Sequence, residues 1–316
     1  MRSTDNEPLV PLTLPPQDQQ ALDALLDALE AQHGHSVLGV LVYGSCLRSG
    51  DIFDGLVDLY LLCSSYREAY GSTRLALSNK LLPPNVFYAQ QHCGDRILRS
   101  KVNLVSLADF RRGCSSRRFE SYFWGRFAQP VALPRVRDTR ARAAILDALR
   151  SASRTLLQRT LPMLPAEGSV DDLWVDALQL SYATELRTER PGRTRELVSS
   201  AGGFYSDALA AAAADPSMRL TLDTSVSPAR YVCEVSSSRR VRAQVAWAAR
   251  KVTGKLLSIT RLVKALFTFG DGLDYIAWKL ERHSGEHIQI PPRVRRWPLL
   301  YCWGFFWRLY RRGIFR

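Results

Sequence analysis

Several things are scarce in this 316-residue chain. Its six cysteines, Cys46, Cys63, Cys93, Cys114, Cys233 and Cys302, form no CxxC pair and recur at no common interval. That spacing argues against a zinc site or a disulfide framework and fits a reducing compartment. No apolar run reaches the ~20 residues that span a bilayer. The longest, Pro298 to Trp307, is bracketed by arginines and is about half that length. The opening segment, MRSTDNEPLVPLTLPP, has acids and prolines but no apolar stretch and no Arg-rich amphipathic pattern, so neither a secretory signal nor a transit peptide is expected. Walker A, GxGxxG and GxSxG are missing, which leaves P-loop, dinucleotide-binding and hydrolase chemistry without support. These absences suit a cytoplasmic chain, soluble or peripherally attached to the inner face of a membrane.

What is present is core and charge. A hydrophobic content of 46% excludes global disorder, and the length suits more than one domain. The formal charge is +13, and it is not spread evenly. From Arg239 to Arg316 there are 17 basic and four acidic residues, whereas the first 238 residues are neutral. One end therefore carries the whole positive field, and its partner should be an anionic surface or ligand. Arg outnumbers Lys 37 to six, which points to a GC-rich bacterial coding bias.

Leu22, Leu25, Leu26 and Leu29 recur with helical spacing after Pro15-Pro16 and before Gly34, predicting an amphipathic helix. Val37–Tyr43 (VLGVLVY) and Leu56–Leu62 (LVDLYLL) read as buried strands, separated by a loop from Cys46 to Gly55. A helix over Tyr66–Lys80 and strands at Asn85–Gln90 and Lys101–Ser106 follow. This order predicts an α/β domain with a mixed sheet ending near Pro134. Beyond it the periodicity is helical over 137–159, 171–189, 193–200, 205–214 and 239–280, with an irregular connector at Thr221–Val232. The expected class is α+β: an α/β domain (1–134), a helical domain (135–235) and a basic helical region with an aromatic tail (236–316).

The most informative feature is Tyr43-Gly44-Ser45, followed on the next strand by Asp58 among Leu56, Val57, Leu59 and Tyr60. An ionised carboxylate in the middle of an apolar strand is costly unless a cation or hydrogen bonds compensate it. Taken alone, Asp58 could simply cap a neighbouring amide. Beside the Gly-Ser turn it acquires a second reading. A glycine after a strand lets the backbone approach a phosphate, a serine adds a hydroxyl donor, and a carboxylate on the adjacent strand can hold Mg²⁺ against the same phosphates. The arrangement resembles the nucleotidyltransferase fold of the DNA polymerase β superfamily. That superfamily often has two acids one residue apart, but Leu56 and Tyr60 stand at that spacing here. A second metal ligand must come from Asp51, Asp54, Asp95 or Asp109. Asp54 is preferred because it shares the loop.

Further segments, in order, resemble the peripheral mitochondrial phosphatidate cytidylyltransferases (CDP-diacylglycerol synthases). Tyr43-Gly44-Ser45 is similar to that family's YGSG, with Cys46 in place of the last Gly, and Val57-Asp58-Leu59 to its apolar-flanked aspartate. Asn85–Tyr88, Lys101–Ser106, Phe123–Val131 (FWGRFAQPV) and Lys264–Thr268 look like later family segments, followed by Tyr275, Lys279 and Leu280. The resemblance implies a Mg²⁺-dependent enzyme that transfers CMP from CTP to phosphatidic acid. It places Asp58 and Asp54 on the metal as the catalytic acids, and Tyr43, Gly44, Ser45 and Lys101 around the triphosphate. Arg261 and Lys264, one helical turn apart, would meet a phosphate, although an ordinary solvated basic face explains them equally well. Alternative readings are transfer to RNA or to a small phosphorylated acceptor, or a non-catalytic membrane- or RNA-binding relic.

The tail, RVRRWPLLYCWGFFWRLYRRGIFR, interleaves Trp297, Trp303, Phe306 and Trp307 with Arg308, Arg311 and Arg312. Rings that favour the headgroup region beside cations that attract anionic lipid describe a membrane-interfacial segment. Packing on the core ranks second. Stacking on single-stranded nucleic acid ranks third, so nucleic acid is disfavoured as a partner. His283 and His287 in HSGEH lack the spacing of a zinc helix, and a solvated turn is expected there.

Overall fold

The computed structural model describes residues 7–186, 192–268, 281, 286 and 288–311. The fold is α+β, as the sequence leads one to expect. After helix α1 (Pro16–His33), strand β1 (Val37–Tyr43) leads into a single helical turn, α2 (Cys46–Ser49), and then β2 (Val57–Cys63). The helix expected over Tyr66–Lys80 is broken at Gly71-Ser72 into α3 (Tyr66–Tyr70) and α4 (Thr73–Leu81). Strands β3 (Asn85–Cys93) and β4 (Arg96–Ser106) are longer than their apolar portions and join through Gly94-Asp95 as a hairpin. Short helices α5 (Leu107–Cys114) and α6 (Trp124–Phe127) precede β5 (Val131–Val136). The sheet order is β3-β4-β2-β1-β5, with β2 and β4 parallel and the other pairs antiparallel.

Pro134 was the expected end of this domain but lies inside β5, an edge strand. An edge tolerates proline because its missing N–H costs no ladder bond on the open side.

The sheet separates two cores because successive side chains on a strand point to opposite faces. Val40, Val42, Val57, Leu59, Leu61, Val102 and Leu104 pack on one side with Leu22, Leu25, Leu26 and Leu29 of α1. Leu41, Tyr60, Leu62 and Val105 face the other way. They join Phe110, Phe123, Trp124 and Phe127 and the helices that follow: α7 (Thr139–Thr160), α8 (Val170–Tyr182), α9 (Arg193–Ser199) and α10 (Phe204–Ala213). The regions on either side of residue 134 therefore share one core. The connector at Thr221–Val232 contributes two strands, β7 (Leu220–Asp223) and β8 (Arg230–Cys233), which pair with β6 (Glu167–Ser169) in the order β6-β8-β7. Their alternation buries Leu220, Tyr231 and Cys233 in the same core.

Helix α11 (Ser237–Thr268) runs back across this body. Its Trp247 indole donates to the Arg159 carbonyl at 2.8 Å and meets Trp124 edge to face. The continuation of this helix expected to residue 280 lies outside the described residues, as do Tyr275, Lys279, Leu280, His283 and His287. The tail forms α12 (Pro292–Arg296) and α13 (Pro298–Arg311). Among the described residues no helix is long and apolar enough to cross a membrane.

Candidate functional site

β1 ends at Tyr43, and its neighbour across the ladder is Asp58 of β2; Asp58 in turn faces Lys101 of β4, and Lys101 faces Tyr88 of β3. Four strands thus set Tyr43, Asp58, Lys101 and Tyr88 in one row, on the face that leads to the helical body. Gly44 follows at φ +92°, a backbone conformation that favours glycine. A Cβ placed on it would come 3.1 Å from the Asp58 Oδ2 atom. The turn and the carboxylate are therefore in close approach, and only a residue without a side chain keeps that approach open. The Arg48 guanidinium closes the turn by donating to the Gly44 carbonyl at 3.2 Å. Ser45 stands exposed at the head of α2.

The structure corrects the expectation of a carboxylate buried in mid-strand. Asp58 is the second residue of β2 and its side chain is 28% exposed. Its apolar flanks, Val57 and Leu59, belong to the opposite face, so they do not surround it. The Lys101 ammonium lies 3.8 Å from Oδ1, a loose ion pair that leaves most of the carboxylate's acceptor capacity available. Burial, reinforced by the negative charge of Asp58, pushes the Tyr43 phenol well above its ordinary value. The same causes in the same order push the Cys46 thiol up to about 11. Cys46 is therefore a neutral thiol behind the turn and no nucleophile at ordinary pH.

The four candidate second acids have different fates. Asp51 accepts the backbone N–H groups of Phe53 (2.8 Å) and Asp54 (3.1 Å) and so fastens the loop. Asp109 accepts from Tyr66 (2.8 Å) and Ser106 (3.1 Å) at the start of α5. Asp95 is exposed in the β3–β4 turn. Asp54 is exposed on the loop that enters β2. Among the described residues no group of three or more His, Cys, Asp or Glu side chains gathers around a common point. Mg²⁺ needs no such cage when substrate phosphates complete its shell, since one or two carboxylates suffice. A partly exposed Asp58 beside an open turn fits as one such ligand, and Asp51 and Asp54 are exposed carboxylates of the loop that enters β2.

Arg261 and Lys264 are not a solvated basic face. Arg261 donates through Nη2 to both carboxylate oxygens of Glu120, at 2.9 and 3.0 Å, and its guanidinium carbon lies 3.9 Å from the centre of the Tyr122 ring. Lys264 donates to the carbonyls of Leu82 and, at 3.0 Å, Pro84. Burial, then the charge of Arg261, pulls the Lys264 ammonium down from 10.5 to about 8. Both residues fasten α11 to the loop before β3 and to the segment before α6.

The structure adds residues that the sequence reading passed over. Tyr122 is flanked by Arg261 and by Arg126, whose guanidinium carbon is 4.2 Å from the ring centre. Burial raises the Tyr122 phenol, but the positive charges of Arg126, Lys101 and Arg261 together outweigh it and hold the phenol below its ordinary value. Arg126 is itself held by both oxygens of Glu185, at 2.9 and 3.1 Å. A network of paired charges, Arg126 with Glu185 and Arg261 with Glu120, thus encloses the Tyr122 ring. Its signal in the sequence was the recurrence of charges (Arg118, Glu120, Arg126) within an aromatic stretch that otherwise reads as core.

The tail is buried on one side and exposed on the other. Phe305 and Leu309 are buried, whereas Trp297, Trp303 and Trp307 are exposed, Trp303 to 77%. Arg308 and Arg311 are exposed as well. The Phe306 side chain and Arg312 lie outside the described residues. A cavity of about 980 Å³ sits elsewhere, between residues 7–10, α7 and α10, and includes none of the expected site residues. No protein-family model matches the chain, and no curated protein matches it.

Proposed function

We propose that the chain is a Mg²⁺-dependent nucleotidyltransferase that makes CDP-diacylglycerol from CTP and phosphatidic acid at a membrane surface. The observation that carries this reading is the close approach of the Gly44 turn to the half-exposed Asp58 carboxylate, with Lys101 in the same row. A polyphosphate lying on the turn would be within reach of both charges. Mg²⁺ held by Asp58, with Asp54 as the second candidate, would supply neutralisation of the triphosphate charge.

The chemistry asks little else of the protein. A phosphate oxygen of phosphatidic acid is already anionic, so no strong general base is needed. It forms a bond to the α-phosphorus of CTP while the bond from that phosphorus to the bridging oxygen breaks, and pyrophosphate leaves with the electron pair. The protein's part is alignment and charge. Gly44 and Ser45 would hold the triphosphate, Lys101 would meet the charge that builds on the leaving group, and Tyr43 would wall the site. The exposed rings of Trp297, Trp303 and Trp307 beside Arg308 and Arg311 would bring the site to a substrate that stays in the bilayer.

The test is radiolabelled CTP with phosphatidate vesicles and Mg²⁺. Labelled lipid is expected with the wild type and not with Asp58→Ala; no labelled lipid in either, or equal labelling in both, rejects the reading. One observation favours a second reading, a non-catalytic relic of the fold: Lys101 already faces Asp58, and among the described residues no acid cluster surrounds it. Calorimetry that finds no CTP binding with Mg²⁺ present would favour the relic.

A further inference from the structure

Helix α11 has two unlike faces. One is fastened to the body: Trp247 and Arg250 are buried, and the Arg250 guanidinium donates to the Phe119 carbonyl at 2.8 Å. On the same side Gly254 lies so close to the Thr184 backbone that a Cβ would come 2.6 Å from its carbonyl oxygen, and Arg261 holds Glu120. At about 100° per residue, the opposite side carries Val241, Val245, Val252, Leu256 and Ile259 in a stripe about 60° wide and about 27 Å long. These five side chains are exposed, from 47% for Ile259 to 67% for Val245. A continuous aliphatic stripe left in water marks a contact surface.

The charge of the helix selects what it contacts. Ser237–Thr268 contains eight basic residues and no acidic one. Val245, Val252 and Ile259 recur at intervals of seven, a pattern that would otherwise suit a two-stranded coiled coil with a second copy. A second copy would bring further exposed lysines, its own Lys251 and Lys255, and no carboxylate to the flank of the stripe, so pairing is opposed by its own charge. An anionic lipid surface accepts both features at once: the aliphatic stripe enters the headgroup–acyl boundary while Lys251 and Lys255, both exposed, meet lipid phosphates. We infer that the exposed face of α11, from Val241 to Ile259, docks on an anionic membrane surface as a contact separate from the aromatic tail. The inference deepens the proposed function and rests on it for the lipid nature of the acceptor. Because Arg261 and Lys264 tie the same helix to the sheet-side loops, docking α11 would fix the orientation of the Asp58 face relative to the bilayer.

The test is flotation of the full chain with phosphatidylcholine vesicles, with and without phosphatidylglycerol, in the absence of CTP and Mg²⁺. Wild type should float with the anionic vesicles and not with the neutral ones. Val245→Ser/Val252→Ser/Ile259→Ser should float about tenfold less while keeping its far-ultraviolet circular dichroism. If that variant fails to fold, Lys251→Glu/Lys255→Glu supplies the second reading: it should bind anionic vesicles less and show a shallower salt dependence. Wild-type flotation by a folded variant overturns the docking face. So does a wild-type dimer in sedimentation velocity that the serine variant converts to monomer without changing flotation, since the stripe would then be a seam between copies. Normal flotation without CDP-lipid formation rejects the enzymatic reading alone. CMP transfer to a soluble short-chain phosphatidate, together with unaltered flotation of the variants, rejects the docking face alone.

Discussion

Asp58 and Glu120 are both carboxylates set beside cations, and the contrast between their surroundings separates chemistry from scaffolding. Glu120 is 4% exposed and accepts from Arg261 Nη2 on both oxygens, at 2.9 and 3.0 Å, together with the Arg118 Nε–H at 2.8 Å. Its acceptor sites are filled by side chains from two different segments, and it joins α11 to the body. Asp58 has a lysine at 3.8 Å, an open glycine turn against its other oxygen, and access to solvent. A filled carboxylate holds parts together; a partly filled one at an open turn can still take a ligand.

Exchanging these carboxylates for neutral groups should split stability from activity. The largest effect belongs to Glu120→Ala. It leaves Arg261 buried without its counter-charge and should lower the unfolding free energy by about 3–5 kcal/mol in urea titration. Asp58→Asn should reduce labelling of phosphatidate from CTP by about 100-fold or more while leaving the urea midpoint nearly unchanged. If Asp58→Asn unfolds the protein and Glu120→Ala leaves it stable, the roles assigned to the two acids are reversed.

Gly44→Ala is a gentler probe of the same turn. It forces a left-handed backbone on a Cβ that crowds Asp58, which should cost about 1–2 kcal/mol of stability. The KM for CTP should rise, because the turn must shift away from the carboxylate.

A pH-dependent effect is expected at Lys264, whose ammonium is held down from 10.5 to about 8 by burial and then by Arg261. Below about pH 8 both the folded and the unfolded chain carry this proton, and above its unfolded value neither does. Between those limits only the unfolded chain binds it, so the contribution of Lys264 to stability rises with pH across that window. The difference in unfolding free energy between wild type and Lys264→Met should therefore grow as pH rises from about 8 towards about 10.5. A flat difference would mean that Lys264 is solvated like any surface lysine.

How much was legible beforehand varied with the physics behind each signal. β1 was readable to its ends because an unbroken apolar run between Gly34-containing and Gly44-containing turns has few alternatives. α1 and α7 followed from helical spacing over several turns. The hairpin arms of β3 and β4 were only half visible, since Gln91, His92, Arg96 and Arg99 extend beyond the core and carry no apolar alternation. β7 and β8, at four residues each, are too short for a period of two to stand out. At the site, Tyr43, Gly44, Asp58 and Lys101 could be named from the sequence. That Lys101 faces Asp58 depends on a parallel pairing between strands more than 30 residues apart, which no local pattern encodes.

The sequence by itself determined the apolar strands, the long helices, the glycine turn next to an aspartate and the concentration of positive charge at one end, because each is written in neighbouring residues. Tertiary structure decided which charges are spent. Glu120 found Arg261 across 141 residues, Lys264 found the Leu82 and Pro84 carbonyls, and α11 turned one face inward and left the other aliphatic and exposed. Such outcomes depend on which surfaces meet once the two faces of the sheet have been covered, and that is a property of packing, not of local propensity.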